Sequence, residues 1–176
     1  MRMSTKEGHM MMMRMMIKHF FQPTGNACGP TCLYMVNQYF TGDVDRGFNP
    51  YPTIKDISEM CGTDWIVGTP PDRMEVGMKK IGLNYIEYVH TKRSFDLLKN
   101  VIDDNNIPIL RTITQGVPHW IIVKGYIGFE FFINDPWLGE ITYSEKQLDE
   151  IWKVRHYQFF EIIDDDNFEQ DEEDDD

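Results

Sequence analysis

The hydrophobic pattern of this chain changes period partway along its length. Up to about residue 103 apolar residues recur at three- and four-residue intervals. From residue 107 they gather into short β-branched and aromatic runs separated by turn residues. In the first half, Cys28, Cys32, Leu33, Val36 and Phe40 fall on one face of a helix predicted over 28–40, with Asn26 as its cap and Gly42 as its stop. Shorter helices are predicted at 54–61, turning Ile54, Ile57 and Met60 inward, and at 71–81, opened by Pro70-Pro71. A strand over 85–89 and a helix over 94–103 follow, the latter with Leu97, Leu98, Val101 and Ile102 as its apolar stripe. In the second half, 107–113, 120–126 and 130–134 read as strands. Ser144, with Gln147 three residues on, makes a capping box for a further helix, and 157–163 gives a last strand. Helices first and strands later predict an α+β domain with segregated layers, and no internal repeat or interdomain linker interrupts it.

At 176 residues the chain suits one ordinary domain, and an apolar share of 41% can build its core. The formal charge of −12 is unevenly placed. Residues 164–176 are almost all Asp or Glu, a run that repels itself and cannot bury apolar surface; it is read as a disordered tail. Such a tail serves solubility or meets a basic partner. No dense Lys/Arg stripe appears, so nucleic-acid binding by the folded part is disfavoured. At the other end, 1–17 is a Met-rich segment, Met10 to Met13 followed by Arg14, Met15 and Met16, and Gly8-His9-Met10 resembles an expression scar. The run is too short and too interrupted for a signal peptide, and no segment approaches the ~18–20 apolar residues of a membrane span. The folded domain is therefore placed at 18–163. Three cysteines, Cys28, Cys32 and Cys61, lack the spacing of a disulfide scaffold and point to a reducing, cytoplasmic compartment.

One cysteine is then free to do chemistry. In Cys28-Gly29-Pro30 the thiol sits at a helix start, where unsatisfied backbone N–H groups and the helix dipole favour a thiolate. Gln22 lies six residues earlier on a segment that must run towards that helix start, so its amide and the Cys28 N–H can converge as an oxyanion hole. His119-Trp120 opens one later strand and Asp135-Pro136-Trp137 closes the next. A two-residue turn at Ile127-Gly128 would set Tyr126 opposite Phe129 and bring His119 within one step of opposing Asp135. Residues so placed have Cβ atoms about 5 Å apart, near enough for a carboxylate to fix the imidazole tautomer. Trp137 could cover that contact. A thiol, a base, an orienting acid and an oxyanion donor meet every role in thiol acylation. Cys28 and Cys32, one helical turn apart, find no second pair at zinc-like spacing, so no metal or cofactor is implied. His90 and His156 read as surface or edge residues, His19 as a residue without a partner, and the two glycines of 25–30 form no phosphate-cradling loop.

Gln22 with Asn26-Ala27-Cys28-Gly29-Pro30-Thr31-Cys32-Leu33, His119-Trp120-Ile121-Ile122-Val123-Lys124-Gly125-Tyr126 and Asn134-Asp135-Pro136-Trp137 resemble papain-like cysteine peptidases. The nearest branch is the bacteriocin-processing, double-glycine-leader peptidases. The resemblance runs from residue 21 to 163 and implies a helical lobe carrying Cys28, packed on an antiparallel sheet carrying His119 and Asp135. It implies a peptide or protein substrate cleaved through Cys28, with His119, Asp135 and Gln22 in the roles above. No transporter accompanies the domain in this sequence, which suggests a free-standing peptidase, including one from a phage or other mobile element acting in a host cytoplasm. Two other uses of the same groove are acyl transfer to an amine, as in transglutaminase-like enzymes, and gripping a peptide without turnover.

Overall fold

The computed structural model describes residues 2–7, 10–42, 52–89, 92–93 and 95–165. The acidic run from residue 166, His90 and most of the 41–53 loop lie outside the described residues. Among the described residues are five α-helices and eight strands, with helices predominating before residue 103 and strands after it, as the change of period predicts, apart from an added strand pair at the start. Helix α1 (Cys28–Thr41), α2 (Ile54–Cys61) and α3 (Pro71–Ile81) form one lobe; β3 (Asn84–Tyr88) and α4 (Phe95–Asp103) lead into β4 (Ile107–Thr114), β5 (Val117–Ile127), β6 (Glu130–Asp135) and β7 (Gly139–Ser144). Helix α5 (Glu145–Trp152), a 3₁₀ turn (Lys153–Arg155) and β8 (Phe159–Ile163) complete the fold. Ahead of them all, β1 (Arg2–Glu7) and β2 (Met10–Met15) form an antiparallel pair within the same sheet. The sequence reading assigned no strand to the Met-rich stretch, which lacks alternation, or to residues 139–144, where Ile141 and Tyr143 do alternate with polar residues.

Helix α1 is held at its start by close approach rather than by a capping side chain. Its N-cap is Ala27, not Asn26, and it has no side-chain cap bond. Asn26 instead accepts from the Thr24 hydroxyl at 2.6 Å and donates to the Asp64 carbonyl at 3.2 Å, tying the entry loop to the loop after α2. A Cβ on Gly29 would come within 2.7 Å of Met74 Sδ, 3.1 Å of Thr69 Cβ and 3.3 Å of Trp120 Cδ1. The first turn of α1 is thus pressed against α3, the loop before it and β5 at once, and only a glycine leaves room. Gly77 does the same service between α3 and α2, where a Cβ would strike Cys61 Sγ. Cys61 is consequently a packing residue, and burial pushes its thiol up to about 11.

The sheet is antiparallel in every described pair and runs β1-β2-β5-β4-β8-β3, with β6 on β5 and β7 on β6. Long β5 is its spine. Its first half pairs with β4 through a turn at Gln115-Gly116, both at positive φ (50° and 79°), as the twist of a two-residue hairpin requires. Its second half pairs with β2, and β6 takes the other edge. The β5–β6 turn is Gly128-Phe129, not Ile127-Gly128, since Ile127 pairs with Glu130. The register then steps at Lys124, an extra residue on β5, so that Ile122 faces Asn134. Strand β8 begins only at Phe159, because His156 and Tyr157 take left-handed backbone (φ 54° and 53°) to leave the 3₁₀ turn. The core lies between α1 and the sheet, and Trp152, Phe131, Phe159 and Phe160 are its largest buried side chains.

Candidate active site

Strand register decides whether His119 and Asp135 can meet. Without the step at Lys124, the Gly128-Phe129 turn would put the two side chains on opposite faces of the sheet, because faces alternate with every residue. The extra residue restores the parity. Continuing the Ile122–Asn134 register sets His119 opposite Trp137 and diagonal to Asp135, on one face. His119 Nε2 donates to Asp135 Oδ1 at 2.7 Å, with both residues almost fully buried. The predicted contact is present, reached by a different turn and a compensating bulge.

Asp135 is held as firmly as it holds its partner. Its Oδ1 also accepts from the backbone N–H of Trp137 at 2.8 Å and of Leu138 at 3.0 Å, closing the turn into β7. Its Oδ2 is buried with no hydrogen-bond partner. Burial alone would raise its pKa, but the His119 contact and charge, then the Leu138 and Trp137 N–H groups, hold the carboxyl below its usual range. For His119 burial works towards the neutral form. Hydrogen bonds to Asp135 and Cys28, with the charges of both, outweigh it and take the imidazole up to about 9. Nε2 thus serves the carboxylate, and Cys28 lies close enough to the same imidazole to favour its protonated form. Trp137 stands edge-on to that ring, centroids 6.1 Å apart, and shields it on the open side.

Cys28 opens α1 and is 7% exposed, its thiol reached only from the cleft that it lines together with His119, Gln22 and Trp137. Of the first-turn backbone N–H groups, those of Cys28 and Gly29 have no acceptor within the helix and are free to bind a negative oxygen; Pro30 carries none, and Thr31 donates to the Ala27 carbonyl at 3.0 Å. Cys32, one turn on, is fully buried and bonds the Trp120 carbonyl. Burial, then the nearby Cys28 and Asp135, push its thiol up, so it stays protonated.

Gln22 reaches the cleft because the entry segment is clasped to the end of the β6–β7 hairpin. Asn134 Nδ2 donates to the Ile17 carbonyl at 2.9 Å, the His19 ring to the Asp135 carbonyl at 2.6 Å, and Gln22 N–H to the Pro136 carbonyl at 2.8 Å. Phe21 lies beside Gly139, close enough that a Cβ there would touch the ring edge at 3.6 Å. His19, read from sequence as unpartnered, is thus a link between the segment carrying Gln22 and the backbone of Asp135. No local pattern announces it; the bond spans 116 residues. One Gln22 Nε2 hydrogen goes to the Thr24 carbonyl at 2.8 Å. An amide nitrogen carries two, so a second donor remains.

The cleft encloses about 1010 Å³ between the loop after α2 and the β4–β5 hairpin. Thr69 ties the two walls by accepting from Trp120 Nε1 at 2.8 Å. Trp65 and Ile66 stand 82% and 90% exposed at the rim, in the loop between α2 and α3. Among the described residues no group of three or more His, Cys, Asp or Glu could hold a metal ion, and no helix is long and apolar enough to cross a membrane.

The sequence profile of the Peptidase_C39 like family matches residues 15–160. No curated protein sequence matches the chain. Among solved structures, a double glycine motif protease from an AMS/PCAT transporter, in complex with the leader peptide, is similar with a TM-score of 0.64 at 18% identity, covering 85% of this chain and 94% of that one. The peptidase domain of Streptococcus ComA, a bifunctional ABC transporter involved in a quorum-sensing pathway, gives 0.63 at 16% identity over 83% and 97%. A C39-like peptidase from Bacillus anthracis gives 0.61 at 12% over 84% and 94%. At these identities the structures establish the fold, the papain-like arrangement of helices on an antiparallel sheet. The profile spans most of the chain and establishes more: the chain belongs to the Peptidase_C39 like family and is a cysteine peptidase.

Proposed function

We propose that this peptidase cleaves a peptide bond through an acyl-enzyme on Cys28, with His119 as base and acid, Asp135 orienting the imidazole, and Gln22 with the Cys28 N–H binding the oxyanion. The observation that carries the reading is the buried imidazole, bonded to Asp135 Oδ1 through Nε2 and lining an open cleft together with Cys28. His119 takes the thiol proton and the thiolate attacks the carbonyl carbon, forming the C–S bond while the oxygen becomes negative. The imidazolium then gives its proton to the leaving nitrogen as the C–N bond breaks. Water, deprotonated by the same imidazole, opens the thioester and restores the thiol. The peptide seated on the AMS/PCAT protease supports a peptide as the occupant here, and three unpaired cysteines suit a reducing compartment where such a thiol survives.

Alkylation by iodoacetamide, mapped by mass spectrometry, tests the assignment. Cys28 should label fast and with a strong pH dependence, Cys61 slowly, and His119→Ala should bring Cys28 down towards Cys61. Cys28→Ala should abolish cleavage of a degenerate peptide mixture. Equal labelling of the two thiols, or turnover that survives Cys28→Ala, would sink the reading.

A further inference from the structure

The cleft has a charge asymmetry that the four site residues do not use. Among the described residues no Asp or Glu lines the cleft, while Arg111 and Arg155 do. Arg111 comes from β4, cross-strand from Trp120 and one residue from Thr112, which faces His119. Faces alternate along a strand, so the Arg111 side chain leaves the sheet beside that of Trp120, on the face opposite His119, and lines the cleft from there. Arg155 comes from the 3₁₀ turn after α5. The two arginines reach one space from different elements.

Neither has a carboxylate partner among the described residues. Arg111 donates to the neutral Gln158 Oε1 at 2.9 Å, and Gln158 Nε2 in turn donates to Glu87 at 2.7 Å, so the nearest acid bonds the amide instead of the guanidinium. Arg155 Nε is buried and has no acceptor. Burial, then the positive charge of Arg155, pull the Arg111 pKa down, with Glu87 opposing: two cations crowd each other in partial burial. Such a pair is unfavourable in the empty cleft and is relieved by an anion. A planar guanidinium fork matches a carboxylate better than any other peptide group.

We propose that Arg111 and Arg155 form a carboxylate-binding subsite in the catalytic cleft, selecting peptides that carry an acidic group within a few residues of the cut bond. The inference rests on the peptidase reading of Cys28 and His119 and adds a substrate class to it.

The test gives the full chain a degenerate eight-residue peptide mixture, in free-acid and C-terminally amidated arms, and maps the cuts by mass spectrometry. Asp and Glu should exceed Asn and Gln about tenfold or more at one fixed distance from the cut, the lower end of what a charge-assisted hydrogen bond contributes. Enrichment in both arms identifies an acidic side chain; cutting near the end of the free-acid arm alone identifies a terminal carboxylate. Arg111→Met and Arg155→Met should each shrink the acidic-to-neutral ratio, and the double variant should bring it close to one. Arg111→Lys and Arg155→Lys, which keep charge and bulk but lose the fork, should fall between and remain available if the Met variants fold poorly. Iodoacetate should also alkylate Cys28 faster than iodoacetamide, and the double variant should lose part of that advantage whether or not any peptide is cut. An even distribution of acids around the cut, or a ratio unchanged in the double variant, overturns the subsite and leaves the peptidase standing. A mixture left uncut by a chain whose Cys28 does not label overturns both.

Discussion

The two halves of this site are built by different means. His119 and Asp135 are fixed by the sheet: a ladder sets their separation, one carboxylate oxygen takes three N–H donors, and burial removes competing water. Cys28 and Gln22 are fixed by chain path: a helix start wedged at Gly29, and an extended segment clasped to residues 134–136. On the proposed mechanism the proton inventory is shared, the thiol coming from the helix half and the imidazole with its carboxylate from the sheet half, while oxyanion binding belongs to the helix half. Damage to a proton carrier should change how the site titrates. Damage confined to the oxyanion donors should slow the chemistry and leave titration alone.

The largest effect should come from His119→Ala, with kcat/KM for a cleaved peptide falling about 10⁴-fold or more. Because thiol and imidazole act as a unit, adding Cys28→Ala should cost almost nothing further; additive losses would break the coupling of the two halves. Next is Gln22→Ala, expected to lower kcat about 10²–10³-fold. Its backbone bond to Pro136 survives the substitution, so melting temperature and the pH profile of Cys28 alkylation should stay put. A shifted alkylation profile would mean that Gln22 tunes the thiol rather than the oxyanion.

Much of this division was legible in the sequence, for physical reasons that differ by residue. Helix α1 and its thiol could be read because an amphipathic period and a first-turn proline are local signals. The Ser144–Gln147 box was equally local, and both of its bonds are present. The His119–Asp135 contact was legible only as a statement about register, and two deviations from the expected hairpin cancelled: the turn moved one residue and Lys124 bulged. The clasp through His19 was hidden, since what makes it is a bond between distant segments, whereas β7 closes a local hairpin on β6 whose short Ile141–Tyr143 alternation was passed over. Arg111 and Arg155 were hidden too, lying 44 positions apart with no shared motif.

A smaller effect, and the most direct reading of the sheet half, concerns pH. The His119 pKa is raised from an ordinary 6.5 to about 9. A raised folded-state pKa means that the stability its protonation contributes is complete below pH 6.5 and is lost as pH rises through 9. Urea midpoints should decline over that window, and the alkaline limb of kcat/KM should lie near pH 9. Asp135→Asn keeps an acceptor oxygen for all three donors and places an NH₂ where Oδ2 is unpartnered. Its kcat/KM should therefore fall only about tenfold, while the alkaline limb moves to lower pH. A limb that stays put would take Asp135 out of the proton inventory.

The smallest effect should come from the support behind the bulge. Lys124 is nearly buried, and its ammonium bonds Glu140 on β7, which pairs with Asn134 on β6, one residue from the Asp135–Gly139 pair. Burial pulls the Lys124 pKa down and Glu140 opposes it, so the ion pair keeps a charge inside the sheet. Glu140 is more than half exposed, which screens the interaction. Glu140→Gln should cost about 1 kcal/mol by urea unfolding, with kcat/KM changed by less than about threefold. Lys124→Met removes the charge and keeps the residue count, so the bulge and the shared face of His119 and Asp135 should persist, with stability equal or higher. If Lys124→Met instead abolished peptide cleavage in a folded protein, the ion pair and not the extra residue would be what holds the two side chains together.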